Sequence, residues 1–286
     1  MGHLLVDMLV LGQGWTGAYL VREANKQHLR VAATTRDGRD STIVFAFDPE
    51  SSDSSPFRVL PVAQTIVITF PVLSEIAMQR LTSFYLETHE VDSQSVRWIL
   101  LGTTSNFNAV NPSADPWCDR HTPLSNLTPR NAGESELLNT RANTSTVIHL
   151  TGLYDETQRN PRNFIARIAP TKDALKARKS VHYIHGEDVA RALVAVHLKW
   201  APDVAGQRWI LSNMRVYDWW DFLGGAVPTG WDVEEKGTPE VWKWVLELCR
   251  ETRVKALPRG VHELERGIDT REFWERFGLL PLHSQL

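Results

Sequence analysis

The chain has 286 residues, long for one minimal domain and short for two independent ones, so a single α/β core with a smaller appended lobe is expected. With 42% hydrophobic residues, 23% charged residues and a net charge of −3, it reads as an ordinary globular protein with no electrostatic footprint for nucleic acid or an anionic membrane. Two cysteines, Cys118 and Cys249, give neither a disulfide framework nor a metal spacing, which fits a reducing, cytoplasmic setting.

In chain order, "LLVDMLVLG" (4–12) reads as a strand. It is too short, and too interrupted by Asp7, to span a membrane, and no basic segment precedes it, so no targeting segment is expected. "WTGAYLVREANKQH" (15–28) reads as a helix, "LRVAATTR" (29–36) as a second strand and "TIVFAF" (42–47) as a third. After a polar loop (48–57) come a buried strand, "QTIVITF" (64–70), a helix from beyond Pro71 to about His89, and another buried strand, "VRWILLGT" (96–103). Residues 111–131 form a long proline-punctuated segment, a length that is usually functional or mobile. A helix follows over about 130–142, then the strand "STVIHL" (145–150).

Beyond Leu150 the pattern breaks into short helices, a strand near "SVHYI" (180–184), a helix over about 187–199, the strand "QRWIL" (207–211) and a largely helical tail. Continuous Val/Ile/Leu runs separated by helices predict a parallel sheet covered on both faces. The fold class is therefore α/β: a Rossmann-type, doubly wound sheet with a smaller, mostly helical C-terminal substrate lobe. Residues 1–152 are expected to form the dinucleotide-binding domain, and 153–286 to complete the sheet and build the lobe. Six of the eleven tryptophans (219, 220, 231, 242, 244 and 274) suggest that this lobe packs separately. Trp220 and Trp244 are expected in its core; a pocket lining or dimer contact made by Trp219, Trp220, Trp231, Trp242 and Trp244 is the alternative.

Gly12, Gly14 and Gly17 form G-x-G-x-x-G between the first strand and the first helix. In this context Gly12 allows the tight turn, Gly14 lets a pyrophosphate approach the backbone, and Gly17 lets helix and strand pack closely. The helix N-terminus then offers free N–H groups and positive potential to phosphates. At the end of the second strand stands "TTRD", with Arg36 ahead of Asp37. A guanidinium there pairs bidentately with a 2′-phosphate, with Arg39 as a possible helper, so NADP is favoured over NAD; a solvated Arg36 with Asp37 reading the ribose is the alternative. With Gln13, Trp15, Thr16 and Phe70, the three glycines and Arg36 make the expected cofactor-binding set.

Five stretches in order, "VLGQGWTG", "WILLGTTSNFN", "WCDRHTPL", "LTGLYDETQRNP" and "IHGEDVARALVAV", resemble the short-chain dehydrogenase/reductase superfamily on its extended or atypical epimerase/dehydratase-like side. The resemblance runs through most of residues 5–215. It implies a nicotinamide cofactor, a Tyr four residues before a Lys as acid/base, and a Ser or Thr that steadies the substrate carbonyl. No tyrosine stands between Tyr85 and Tyr154. With Glu136 as the acid that follows the family tyrosine by eight positions, Thr128 fills the Tyr slot and Ala132 the Lys slot, and Phe107 fills the loop tyrosine slot. Thr103 and Thr104 remain in the hydroxyl cluster, with Thr104 the candidate for the carbonyl. The cofactor site is kept while the usual acid/base pair is not. Two readings follow: an oxidoreductase or epimerase-like enzyme on a small carbonyl or polar substrate, or a non-catalytic NADP-binding sensor or regulatory protein. Family members often dimerise through two helices of the main fold, so a homodimer is a possible assembly.

Other groups are weaker candidates. His121, beside Asp119 in the proline-rich loop, is a candidate proton donor against the reading of a solvated histidine. Glu134 reads first as an exposed helical acid. Arg159 is a candidate anion binder against an ion pair. His182, His185 and Asp188 have metal-like spacing but lie where a strand turns into a helix, so capping and packing are the expected roles and no metal is assigned.

Overall fold

The computed structural model describes residues 5–125, 127–224, 232, 234 and 239–284. Its strands are β1 Leu5–Leu11, β2 Val31–Thr35, β3 Ile43–Val44, β4 Val62–Ile68, β5 Arg97–Thr103, β6 Trp117–Cys118, β7 Ser145–Leu150, β8 Gly152–Tyr154, β9 Ser180–Val181, β10 Tyr183–His185, β11 Arg208–Leu211, β12 Tyr217–Asp218 and β13 Gly267–Ile268. Seven of them form one parallel sheet in the order β11-β7-β5-β4-β1-β2-β3. The chain leaves β1 toward one edge and returns at β4 to build toward the other. The switch point lies between β1 and β4, where α/β folds bind their ligands.

The apolar runs work because both faces of the sheet are covered. Met8 and Val10 point to one side, with Val67, Ile99 and Ile148. Leu9 and Leu11 point to the other, with Ile66, Ile68 and Leu100. The helices α1 (Gly14–Lys26) and α6 (Gly186–Leu198) cover the first face; α2 (Glu75–His89) and α3 (Pro129–Thr140) cover the second. At its start, α2 is capped by the Ser74 hydroxyl, which accepts from the Ala77 N–H at 3.1 Å.

Between α3 and α6 lie the short helices α4 (Ile165–Ile168) and α5 (Lys172–Lys176). With α7 (Trp219–Gly224), the helix Glu240–Thr252 and the small strand pairs β8–β10 and β9–β12, they carry the C-terminal lobe. Tyr154, Leu175, Tyr183, Trp219, Trp220 and Val245 are buried together there, with Trp242 and Trp244 packed against them. The stretch "TIVFAF", read as a full strand, keeps only two residues of it, because β3 is an edge strand beside a polar loop. Trp274 departs from the expectation of a lobe residue. With Phe273 and Phe277 it joins the core of the main sheet, its indole N–H donating to the Ser212 carbonyl at 3.0 Å. Trp231 lies outside the described residues.

The C-terminal segment also closes over the proline-rich loop. Strand β13 pairs with β6, and the Arg266 guanidinium donates to the carbonyls of Phe107 at 2.9 Å and Thr104 at 2.5 Å.

Candidate functional site

At the end of β1 the backbone turns through Gly12 (φ +86°), Gln13 and Gly14 (φ +40°) into α1. The Gly12 N–H donates to the Thr34 hydroxyl at 2.9 Å, and the Thr69 hydroxyl donates to the Gly12 carbonyl, so β2 and β4 hold the turn from both sides. A Cβ on Gly12 would stand 2.9 Å from the Thr69 hydroxyl oxygen and 3.1 Å from the Phe70 ring. On Gly17 it would meet Val10 at 3.0 Å and the Gly12 carbonyl at 3.1 Å. Gly14 differs: nothing lies within 4 Å of the Cβ position, which faces open crevice. No side chain caps α1, and no acidic residue stands in its first turn, so its N–H groups and positive end face that opening.

The crevice has two parts that share Gln13, Gly14 and Thr69. The outer part, about 640 Å³, is lined by Gly12, Thr34, Thr35, Arg36, Asp37, Arg39, Phe45, Phe47 and Phe70. Its phenyl rings of Phe47 and Phe70 lie nearly parallel at 6.2 Å between centroids. Asp37 is engaged: the Thr35 hydroxyl beside it holds its carboxyl below the usual range, and Arg39 pairs with it at 3.2 Å. Arg36, exposed at the mouth, has no ion pair among the described residues.

The inner part, about 450 Å³, is lined by Trp15, Thr16, Leu101, Gly102, Thr103, Arg130, Leu150, Thr151, Leu153 and Arg159. Asp155 fixes its wall. That carboxylate accepts from the Trp15 indole at 2.8 Å, the Tyr19 hydroxyl at 3.2 Å and the backbone N–H groups of Thr157 and Arg159 at 3.0 and 2.8 Å. Burial alone would raise its pKa, but these donors outweigh burial and hold it down to about 2. The Arg159 guanidinium lies over the Trp15 ring at 4.6 Å.

Under the inner floor runs a buried polar network. His149 Nδ1 is 3.0 Å from the Thr103 carbonyl, to which it donates. Burial pushes the His149 pKa down to about 3, so the ring is neutral and its Nε2 faces the Arg208 guanidinium at 3.5 Å. Arg208 donates to Glu134 at 2.6 Å, and Asn131 donates to the same Glu134 oxygen at 3.4 Å. Glu134 is only 2% exposed, against the expectation of an exposed acid, because Gly102 leaves room for its Oε1 and the His149 ring where a side chain would stand.

The structure gathers Gly12, Gln13, Gly14, Trp15, Thr16, Arg36 and Phe70 around one crevice, with Gly17 packed behind the turn. Among the two candidate threonines it is Thr103 that lines the crevice. Its oxygen accepts from the Ser105 N–H at 3.3 Å, leaving its proton to donate. Thr104 is buried beside it, with its carbonyl held by Arg266. His121 is exposed away from the crevice and contacts Glu272 at 2.9 Å. The Thr128 hydroxyl is taken up in capping α3, donating to the Asn131 side chain at 3.2 Å. His185 caps α6, its Nδ1 accepting from the Glu187 N–H at 3.1 Å, and Asp188 is fully buried under the C-terminal segment, accepting from the N–H groups of Leu282 and His283.

Sequence reading missed the cluster of Glu156, His185 and His283, whose ligand atoms lie within 4.8 Å of one another. Because His185 Nδ1 accepts an N–H, its proton sits on Nε2 and points at Glu156 at 3.2 Å, while His283 stacks on the His185 ring and contacts Glu187 at 3.0 Å. Arg130 was missed too. Its signal was a cation two residues into a helix, where the dipole disfavours one.

No protein-family model matches the chain, and no curated protein matches it. Solved structures do. A short-chain dehydrogenase/reductase superfamily protein from Agrobacterium tumefaciens with bound NAD aligns with a TM-score of 0.60 at 11% identity, over 97% of this chain and 92% of that one. UDP-N-acetylglucosamine 4-epimerase from Bacillus cereus aligns at 0.58 and 10% identity, over 97% and 94%. Vestitone reductase from alfalfa (Medicago sativa) aligns at 0.57 and 16% identity, over 96% and 99%. The chain therefore has the Rossmann-type fold that these epimerase and dehydrogenase/reductase structures share.

Proposed function

We propose that the chain binds NADP along the crevice and acts as an oxidoreductase or epimerase-like enzyme on a small carbonyl or polar substrate. The observation that carries this reading is Arg36. It is an exposed guanidinium at the mouth of the outer pocket, without an ion pair among the described residues, while Asp37 beside it is already engaged by Thr35 and Arg39. A 2′-phosphate is the group such an arginine suits. The residues fit a dinucleotide: the open face of Gly14 leaves room for two phosphates, and the uncapped start of α1 supplies N–H donors. The solved relative with bound NAD supports a nicotinamide cofactor in this fold.

When bound, a nicotinamide coenzyme supplies hydride transfer. The chain's own residues orient and polarise. Gln13, Gly14 and Thr16 would hold the phosphates, and the Thr103 hydroxyl is free to donate to a substrate oxygen. His149 holds the Thr103 carbonyl in place from below. None of the five tyrosines is followed four residues later by lysine, and the Thr128 hydroxyl is occupied as a helix cap. That observation favours the second reading, a non-catalytic NADP-binding sensor or regulatory protein. The apolar side chains Leu73 and Ile76, 54% and 59% exposed at the start of α2, support a homodimer as part of either reading.

Calorimetric titration with NADP⁺ and NAD⁺ tests the proposal. Tighter binding of NADP⁺ is expected; no binding of either coenzyme overturns it. Turnover of NADPH with a panel of small aldehydes and ketones separates the enzyme from the sensor.

A further inference from the structure

We propose that the inner part of the crevice holds a small substrate by an oxyanion group, a carboxylate or a phosphoryl, gripped between Arg130 and Arg159. The inference deepens the reading above and rests on it, since the substrate shares the inner part with the reacting end of a dinucleotide that runs along the crevice.

Both arginines line the inner cavity, and no carboxylate lines it. Arg130 is half-buried, and no hydrogen bond or ion pair engages its guanidinium among the described residues. Arg159 is held by its backbone and its ring contact. Its N–H donates to Asp155 at 2.8 Å, and its guanidinium rests on Trp15 at 4.6 Å. The Asp155 carboxylate accepts from Trp15, Tyr19 and two backbone N–H groups, and no ion pair joins it to the Arg159 guanidinium among the described residues. Elsewhere, arginines such as Arg208, Arg259 and Arg276 are paired with carboxylates at 2.5–2.6 Å. Two guanidiniums and no carboxylate line this one concavity, which favours an anion there.

The position of Arg130 sharpens this. It stands in the first turn of α3, where the positive end of the helix disfavours a cation, and Glu134, one turn on, feels its charge but pairs with Arg208. Function is where a residue is expected to stand against local preference. The dinucleotide phosphates have donors of their own in the start of α1, and Arg36 in the outer part is placed for a 2′-phosphate. A guanidinium fork matches the planar edge of a carboxylate or two phosphoryl oxygens. The cavity of about 450 Å³ is at the small end of ligand pockets, so the substrate is small. The Thr103 hydroxyl on the same wall suits its uncharged oxygen, while the Thr151 hydroxyl is taken up by the Leu211 carbonyl at 3.1 Å.

The test is calorimetric titration of the full chain, loaded with NADP⁺, using oxalate, inorganic phosphate and neutral oxamide as probes. Oxalate or phosphate should bind saturably and oxamide should not; whichever anion binds more tightly identifies the group. Arg130→Gln and Arg159→Gln should each weaken that binding tenfold or more while NADP⁺ affinity stays within twofold. Arg159 is exposed, so its variant keeps the fold, and circular dichroism checks both. Anion binding no tighter than in the double variant overturns the inference, and so does a parallel loss of NADP⁺ affinity, which would give the arginines to the dinucleotide. If NADP⁺ does not bind the parent chain, the cofactor reading falls alone; arginine-dependent oxalate or phosphate binding in its absence still upholds the anion site.

Discussion

Arg208 on the edge strand β11 donates to Glu134 on α3 across 2.6 Å, directly beneath the Gly102–Thr103 floor of the crevice. The carboxylate is 2% exposed, and burial raises its pKa, so the ion pair and the Asn131 amide are what let it stay in place. Arg208→Met leaves that group uncompensated and should cost about 3–5 kcal/mol of stability, read by urea denaturation. The double variant Arg208→Met with Glu134→Met should recover most of the loss. If the single variant is as stable as the parent, the pair is not what holds the floor.

Arg36→Ala should remove the preference for the phosphorylated coenzyme. A charge-assisted pair contributes about 1.5–3 kcal/mol, so NADP⁺ affinity should fall about ten- to a hundredfold while NAD⁺ affinity hardly changes. Equal Tm shifts from NADPH and NADH in the parent protein would remove Arg36 from this role.

Gly14 and Gly17 should separate binding from folding. Gly14→Val projects its side chain into open crevice, so coenzyme-induced Tm shifts should vanish; the positive φ of +40° adds about 1–3 kcal/mol of strain. Gly17→Val instead meets Val10 and the Gly12 carbonyl at 3.0 and 3.1 Å, so its main effect should be on the stability of the apo protein. An unchanged Tm shift in Gly14→Val would show that no pyrophosphate passes that residue.

Asp155 should give a distinct acid signature. Its folded-state pKa of about 2 lies below the ordinary 3.8, so the unfolded chain binds more protons between these values. Its contribution, about 2 kcal/mol, is present above pH 4 and is lost as pH falls toward 2. Asp155→Asn should lower stability at pH 6 and flatten that part of the acid profile, measured by denaturation at stepped pH. The same slope in both proteins would mean that other carboxylates govern the acid limb.

Thr128→Tyr with Ala132→Lys would introduce a Tyr-x-x-x-Lys pair at the start of α3. Thr128 is exposed and Ala132 half-buried, so both side chains have room. Weak NADPH-dependent carbonyl reduction should appear, against a missing acid/base contribution of about 10²–10⁴ in rate. A well-folded variant with no gain would move the Tyr and Lys slots elsewhere.

Periodicity and glycine spacing carry the strands and the cofactor turn because they are local signals. Met8 and Val10 against Leu9 and Leu11 spell a two-sided strand before any partner is known. Glu134 was misread as exposed for the opposite reason: its burial depends on Arg208, 74 residues away, and on the missing side chain of Gly102. Trp274 likewise looked like part of the lobe from its neighbours in sequence, yet the helix that carries it docks on the main sheet.

The amino-acid order by itself determined the parallel sheet, the G-x-G-x-x-G turn and the absence of any tyrosine followed four residues later by lysine, since each is written in residue type and short-range spacing. Only the tertiary structure decided that Thr103 rather than Thr104 lines the crevice, that His121 faces away from it, and that Arg130 and Arg159 share one cavity. Those relationships join residues far apart in the chain, and they arise from how β5, α3 and the segment after β8 pack, which no local pattern encodes.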